Sequence, residues 1–474
     1  MFRRRFAAFL SLPACLMAAT ASLAATPGDE PLQVWATTAD RRLALTPLPA
    51  DAAIDPAAPT VRIAIDPADR RQRIDGFGAA ITDSSAWLLQ RRLTPSARDA
   101  VLRELFGPPP GIGLGMVRLT IGASDFSLHP YSLDDMPAGR RDPGLARFRL
   151  PRQQRDVLAV ARAARTINPA LKTMASPWSA PGWMKTTDRL IQGTLREDAV
   201  EPFARYLAQY VDTAAAQGVP LFALTLQNEP AFEPADYPGM RLNAAQRATV
   251  IARLGPMLRA AGHDTRILDW DHNWDKPEEP LAVLSDPAAS PYVDGVAWHC
   301  YGGEVSAQSR VHEAFPDRSA YLTECSGGDW EPVRSGGMPL LARDLVIGGT
   351  RHWSSGVLLW NLALDERSGP HSGGCGNCRG VVTIDRRTRR ITRNDEYYVL
   401  AHASRFVRAG ASRVGSSEGA DGVDQVAFVN PDGERVLYVV NGSDRARTIE
   451  VAAGDRRFRY TLAPKSLHTF AWSP

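Results

Sequence analysis

Two apolar runs of the chain end in a glutamate. "LFALTLQNEP" spans Leu221 to Pro230 and "AYLTECSGG" begins at Ala320, so Glu229 and Glu324 close stretches that read as buried strands. An ordinary strand exit carries a turn dipeptide such as Asn-Gly. The first of these carries an amide, an acid and the rigid Pro230 instead. Two carboxyls with different tasks are what cleavage of a glycosidic bond needs. One keeps a proton for the leaving oxygen, and the other is ionised and attacks the anomeric carbon. Other strand ends supply companions for a sugar: Asp125, Trp178, Asn228, Asp271, His299, Tyr301, Trp360 and Asn361. Aromatic faces stack on the apolar side of a sugar ring, and amide or acid groups bind its hydroxyls. Asn228, beside the acid, can reach a 2-hydroxyl. The bland alternative is that Glu229 pairs with an arginine such as Arg118 and only holds a rim together. A second glutamate at an opposing strand end weighs against it. His299 reads as a satisfied structural histidine, since a carboxylate pair needs no imidazole, and Arg118 as support that keeps a carboxylate ionised.

The positioning elements alternate. Strand-like runs occur near Ile74, from Gly113, Leu171, Leu221, Thr265, Asp294, Ala320 and Gly356. Between them lie helical stretches such as residues 94–106, 151–167, 198–218 and 243–262, the third stopped by Gly218 and Pro220. Strand–helix alternation implies parallel pairing with right-handed crossovers. Eight units predict an α/β fold, a (β/α)8 TIM barrel over about residues 74–408, with its reactive groups at the C-terminal strand ends. No GxGxxG opens a helix after the first strand, which argues against a dinucleotide-binding sheet. Extended runs in residues 25–73 and hairpin-spaced runs in residues 409–474 predict one β-sandwich built from both termini.

The first 24 residues, three arginines followed by an apolar run and a small-residue end, read as a secretory signal peptide, so the protein is expected to be exported, periplasmic or extracellular. No later segment is long enough to cross a membrane. The net charge of +3 includes Arg3, Arg4 and Arg5, which leave with the leader, so the mature chain is near neutral and nothing points to nucleic acid. Of five cysteines, Cys15 lies in the leader. Cys375 and Cys378 form a lone CxxC, half of a zinc site at most, and a local disulfide is the favoured reading. Cys300 and Cys325 read as buried thiols, or as a second bridge if their strands are neighbours. Titration of the unreduced protein should then find at most two free thiols. No metal or other cofactor is implied.

"TLQNEP" and "YLTECSGG" resemble the acid/base and nucleophile motifs of glycoside hydrolase family 30, the glucosylceramidase family. "IDGFGAAITDSSA", "GIGLGMVRLTIGASDFSLHPYS", "SPWSAPGWMKT", "WHCY", "LLWNLALDERSGP" and "CRGVVTID" are similar to family stretches in the same order. The resemblance covers nearly the whole mature chain and implies a barrel with a sandwich from both termini. It implies Glu229 as acid/base, Glu324 as nucleophile, and Asp125, Trp178, Asn228, Tyr301 and Trp360 as substrate-binding residues. It also implies a carbohydrate or glycolipid substrate, with no cofactor. The chain departs from the family's lysosomal member at Cys300, which stands for an aromatic residue, and in "GGCGNCRG" after the eighth strand. Both departures are expected at the leaving-group end.

The resulting expectation is an exported retaining β-glycosidase acting on β-glucosides, glucosylceramide-type first. An endo-β-1,6-glucanase and a β-xylosidase are the alternatives within the family. A catalytically inactive carbohydrate-binding barrel and a CxxC oxidoreductase are the rivals of other classes; both glutamates are present, and no thioredoxin-like context surrounds Cys375. Oligomeric state is left open.

Overall fold

The computed structural model describes Met1, residues 31–330 and residues 337–474; the expected signal peptide lies outside the described residues. Three strands come first: β1 (Gln33–Thr38), β2 (Thr46–Leu48) and β3 (Thr60–Arg73). The next eight close a barrel: β4 (Gly76–Ile81), β5 (Met116–Ile121), β6 (Lys172–Pro177), β7 (Ala223–Thr225), β8 (Arg266–Asn273), β9 (Val293–His299), β10 (Ser319–Glu324) and β11 (Ser354–Asn361). Each of the eight runs read from the sequence forms one of them, and all neighbours pair in parallel. The barrel interior is filled by Met116, Met174, Ala223, Leu268, Ala297, Tyr321 and Leu358, one from each strand from β5 to β11. β4 contributes glycine at this level. A Cβ on Gly78 would meet the Met116 carbonyl oxygen at 1.8 Å, so only glycine lets the two strands sit this close.

The expected helices form outside the barrel as Pro95–Phe106, Arg152–Ile167, Val200–Ala216 and Ala244–Ala260. Asn243 caps the last of them reciprocally with Gln246, and Gly218 ends the third at φ +79°. Among the described residues no helix is long and apolar enough to cross a membrane.

After the barrel, β12 (Ala363–Leu364), β13 (Val382–Ile384) and β14 (Ile391–Arg393) make a small sheet beyond the eighth barrel strand. β15 (Ser412–Ser416), β16 (Val423–Val429), β17 (Arg435–Asn441), β18 (Arg447–Ala453), β19 (Arg456–Leu462) and β20 (Ser466–Trp472) follow. They join the first three strands in the order β19-β18-β3-β15-β16-β17-β20-β1-β2. The two termini therefore build one sandwich, as the flanking patterns predicted: β3 lies between β18 and β15, and β1 beside β20. Its apolar residues, Val34, Ile63, Val414, Leu437, Ile449 and Phe470 among them, form one core.

Cys375 and Cys378 are bridged, as expected. Cys300 and Cys325 are not free thiols: they form a second disulfide. The reason lies in the barrel order, because β9 and β10 are neighbours and bring His299 opposite Glu324, one residue before each cysteine. Thiol titration of the denatured, unreduced mature protein should therefore find no free thiol. Two thiols per chain would show one of the bridges open.

Candidate active site

A buried arginine organises the C-terminal mouth of the barrel. Arg118, on β5, is wholly buried and donates through Nη2 to Asp271 Oδ2 at 2.7 Å and to Asn228 Oδ1 at 2.8 Å, and through Nη1 to Glu324 Oε2 at 2.6 Å. Asp271, on β8, also accepts from Ser176 (2.8 Å), Thr225 (2.7 Å), Thr323 (2.6 Å) and His299 Nε2 (3.1 Å). Two buried charges survive out of water only with such complete pairing. Arg118 thus touches Glu324 and Asp271 rather than Glu229.

The two glutamates meet across this mouth. An oxygen of Glu229, an oxygen of Glu324 and a ring nitrogen of His299 all lie within 4.8 Å of one another. Glu324 has both oxygens held: Oε2 by Arg118, and Oε1 by the Tyr301 hydroxyl at 3.1 Å. Glu229 Oε1 is hydrogen-bonded by His299 Nδ1 at 3.1 Å. The strand carrying Glu229 is short because the chain leaves the ladder early: Asn228 N–H donates to the Pro177 carbonyl and Glu229 N–H to the Asp271 carbonyl. Glu229 sits at φ +51°, and Trp270 and Asp271 at φ +74° and +56°, a left-handed conformation that non-glycine residues avoid. β8 bulges between Trp270 and His272 to accommodate this. Pro230 now has its explanation. The Glu229 carbonyl accepts from Phe232 N–H across a tight turn, and Pro230 occupies the turn's first central position, where its fixed φ fits.

Beside the glutamates lies a cluster of aromatic rings. Trp178 and Trp360 stack at 4.8 Å between centroids, the Arg118 guanidinium lies 4.8 Å from the Trp178 ring, and Phe126, Leu364 and Cys378 complete the cluster. Trp360 Nε1 donates to Asp125 Oδ2 at 3.4 Å. Asp125 Oδ1 and Asn361 Nδ2 are buried without a protein partner among the described residues. Buried polar atoms are ordinarily paired, so Asp125 Oδ1 is left open to a polar group from outside. Asn228 spends its oxygen on Arg118, which leaves its NH₂ as a donor. The loop containing Cys375 and Cys378 closes over the Asp125 side. Ser372 N–H bonds the Asp125 carbonyl, and a Cβ on Gly374 would come within 2.8 Å of Asp125 Cβ. The "GGCGNCRG" loop thus packs on the aromatics and Asp125.

The electrostatics follow from burial and these contacts. Burial lowers the His299 imidazole, but Glu324, Asp271 and Glu229 outweigh it and hold it up at about 9, so both ring nitrogens donate at neutral pH. Asp271 is pushed up by burial and held well below its ordinary value by Arg118 and His299. Burial pushes Glu324 up, with the Glu229 charge adding and His299 and Arg118 opposing. Burial also acts upward on Glu229, yet the His299 hydrogen bond and charge win and hold it below the ordinary value. This lowering comes from a histidine that reads in the sequence as merely structural. Burial and the Glu324 charge push Asp125 well up. Glu229, His299 and Glu324 have the composition of a cation site, but a cation there would have to displace a proton from His299 beside the permanently charged Arg118.

The seven residues that the resemblance implies as catalytic or substrate-binding, Glu229, Glu324, Asp125, Trp178, Asn228, Tyr301 and Trp360, surround this one mouth. Asp271, which the sequence places among the strand ends that could meet a sugar, is instead taken up by Arg118, His299 and three hydroxyls. His299 does more than its structural reading suggests, and Tyr237 carries no signal in the sequence. That tyrosine packs on the aromatic cluster and is pushed up by burial and by Asp125, Glu229 and Glu324. It sits in a loop with no periodicity to mark it.

Residues 74–407 match the model of the glycosyl hydrolase family 30 TIM-barrel domain, and residues 410–470 that of the family 30 β-sandwich domain. The chain belongs to glycoside hydrolase family 30. An endo-1,6-β-D-glucanase of Neurospora crassa is 36% identical over 418 residues, covering 84% of this chain and 85% of the relative. The lysosomal acid glucosylceramidase of Mus musculus is 30% identical, covering 86% of this chain and 83% of its own length. A solved endo-β1,6-glucanase superposes with a TM-score of 0.85 at 31% identity, covering 94% of this chain and 99% of that one.

The His299 network predicts a pH signature. The folded-state value of about 9 exceeds the ordinary 6.5, so the stabilisation is complete below pH 6.5 and fades as pH rises through 9. The difference in unfolding free energy between the wild type and His299→Asn, from urea titrations, should be largest at pH 6 and shrink by pH 9.5. A constant difference would show that His299 is neutral in the fold.

Proposed function

We propose that this family 30 protein is an exported retaining β-glycosidase that cleaves β-1,6-linked glucan internally. The observation that carries the mechanism is the approach of the Glu229 and Glu324 oxygens to within 4.8 Å. Retaining enzymes hold their carboxyls about 5–5.5 Å apart, whereas inverting ones leave room for a water at roughly 6.5–9.5 Å. The substrate reading is supported by relatives named endo-1,6-β-D-glucanases at 34–36% identity, against 28–30% for those named glucosylceramidases. Glucosylceramide, put first from the sequence, becomes the second reading. The leader and the two disulfides support export.

In the first step Glu324 attacks the anomeric carbon and its C–O bond forms as the bond to the leaving oxygen breaks. Glu229 gives that oxygen its proton. In the second step Glu229 takes a proton from water, which attacks the anomeric carbon and releases Glu324. Two carboxyls this close resist ionising together, so the pair keeps one proton to a higher pH than an isolated glutamate would. Arg118 and Tyr301 donate to Glu324 and oppose the upward push of its burial. Before substrate binds, however, the His299 imidazolium holds Glu229 low, so the proton that Glu229 needs for the first step has to come with substrate binding. The His299 imidazolium lowers Glu229, which suits the second step, where a carboxylate is needed. In the first step a sugar that displaces water from Glu229 strengthens the upward push of burial. Asp125, Asn228, Trp178 and Trp360 bind and orient the sugar.

The test uses purified protein on β-1,6-glucan, aryl β-glucoside, aryl β-xyloside and glucosylceramide. A ladder of β-1,6-oligosaccharides from the glucan is expected. Release of ceramide with no cleavage of the glucan would favour the second reading, and no turnover of any glycoside would sink the enzyme reading. Glu324→Gln should abolish turnover of every substrate. Glu229→Ala should recover activity on an activated aryl glycoside with azide and give a β-glycosyl azide. A β-azide from a Glu324→Ala variant, with an α-azide from the Glu229 variant, would exchange the two roles.

A further inference from the structure

β9 and β10 run in register until Leu322 lies opposite Trp298; β10 then inserts Thr323, so that Glu324 comes opposite His299. This bulge interrupts the ladder at the residue bearing the carboxylate. No further pair of the two strands follows it. The next link between them is covalent: the Cys300–Cys325 disulfide, with the two Cα atoms 5.4 Å apart. Its neighbours in sequence are the groups that face the reaction. His299 precedes Cys300 and Tyr301 follows it; Glu324 precedes Cys325 and Ser326 follows it. Tyr301 closes a small ring across the bridge: its hydroxyl donates to Glu324 Oε1 at 3.1 Å and lies 3.4 Å from the Ser326 hydroxyl, from which it can accept.

Packing alone does not hold this corner. Tyr301 is 47% exposed; apart from the bridge beside it, it is held by Asn273 Oδ1 at its N–H, by its hydroxyl contacts and by an edge-on ring contact with His299. Behind the bridge lies a cavity of about 560 Å³ lined by both cysteines, Trp274, Ser326, Leu341 and Leu345. Strand ends that border open volume lack the dense contacts that fix a side chain elsewhere in an interior.

We propose that the Cys300–Cys325 disulfide is a positioning device for the reaction: it sets Glu324 against Tyr301 and His299 and so governs the chemical step, in addition to stabilising the fold. The bridge does not touch substrate and takes no part in bond making. It replaces the missing ladder bonds beyond the bulge. The inference rests on reading Glu324 as the nucleophile.

The test compares wild type with Cys300→Ser/Cys325→Ser on an activated aryl β-glucoside, well below the variant's Tm. A bridge that only stabilises would lower Tm and leave kcat alone. The positioning role predicts a fall in kcat of about tenfold or more, the scale expected for a small misplacement of a reacting group, with KM changed less than about twofold. The acid limb of the kcat/KM profile should also shift, since Glu324 loses a fixed relation to Tyr301. Should the double variant fail to fold, the Cys375→Ser/Cys378→Ser variant carries only the bridge in question in its mature chain. Treating it with dithiothreitol, which supplies two electrons and two protons per bridge, should lower its own kcat and expose two thiols; reoxidation should restore both. Unchanged kcat in the bridge-free protein, or in the reduced one with two thiols counted, would overturn the proposal. A wild type inactive on every glycoside would instead remove the enzyme reading on which it rests.

Discussion

Everything at the barrel mouth depends on the buried pair of Arg118 and Asp271, whose side chains are 1% and 0% exposed. A buried ion pair is poor value as a source of stability, because desolvation offsets much of the attraction. Its worth here is geometric. Through Arg118, Ser176, Thr225, Asp271, His299, Thr323 and Glu324 it ties together six consecutive barrel strands, β5 to β10. Removing either partner would leave a buried charge alone, which costs about 3–5 kcal/mol. The pair also sets the local field: with Arg118 and the His299 imidazolium against Asp271, Glu229 and Glu324, two cations stand among three carboxyls.

That field divides the two glutamates by surroundings. Glu324 has donors on both oxygens, one of them permanently charged, and is fixed in direction. Glu229 has one, from His299, and sits at a left-handed backbone position after a three-residue strand. Fixing one carboxyl while leaving the other responsive suits attack by the first and proton exchange by the second. The strain at Glu229, Trp270 and Asp271 is concentrated where β7 and β8 deliver those groups, as strained conformations at functional sites commonly are.

The barrel was legible because parallel strands with helical crossovers leave a strong pattern of apolar runs and amphipathic stretches. The glutamates were legible because Glu229 and Glu324 close such runs. The network between them was not. Arg118 and Thr323 are about two hundred residues apart in sequence, and nothing local marks either as a partner of Asp271. The Cys300–Cys325 bridge was conditional on the adjacency of two strands, which only the closed barrel fixes. The bulge at Thr323 and the left-handed Asp271 leave no local signature, because each answers to a neighbouring strand rather than to its own segment. Glu229 shows the consequence most plainly. Burial alone would raise it, and the opposite direction comes from His299, 70 residues away.

The most direct test of the account is to trap the covalent intermediate. The wild type is incubated with an activated 2-deoxy-2-fluoro-β-glucoside, which slows both steps but slows hydrolysis of the intermediate more, and the labelled peptide is then located by mass spectrometry. The account predicts one label per chain, on Glu324, with loss of activity in step with labelling. A label on Glu229, or an enzyme that turns over β-glucosides yet is never labelled, would contradict it.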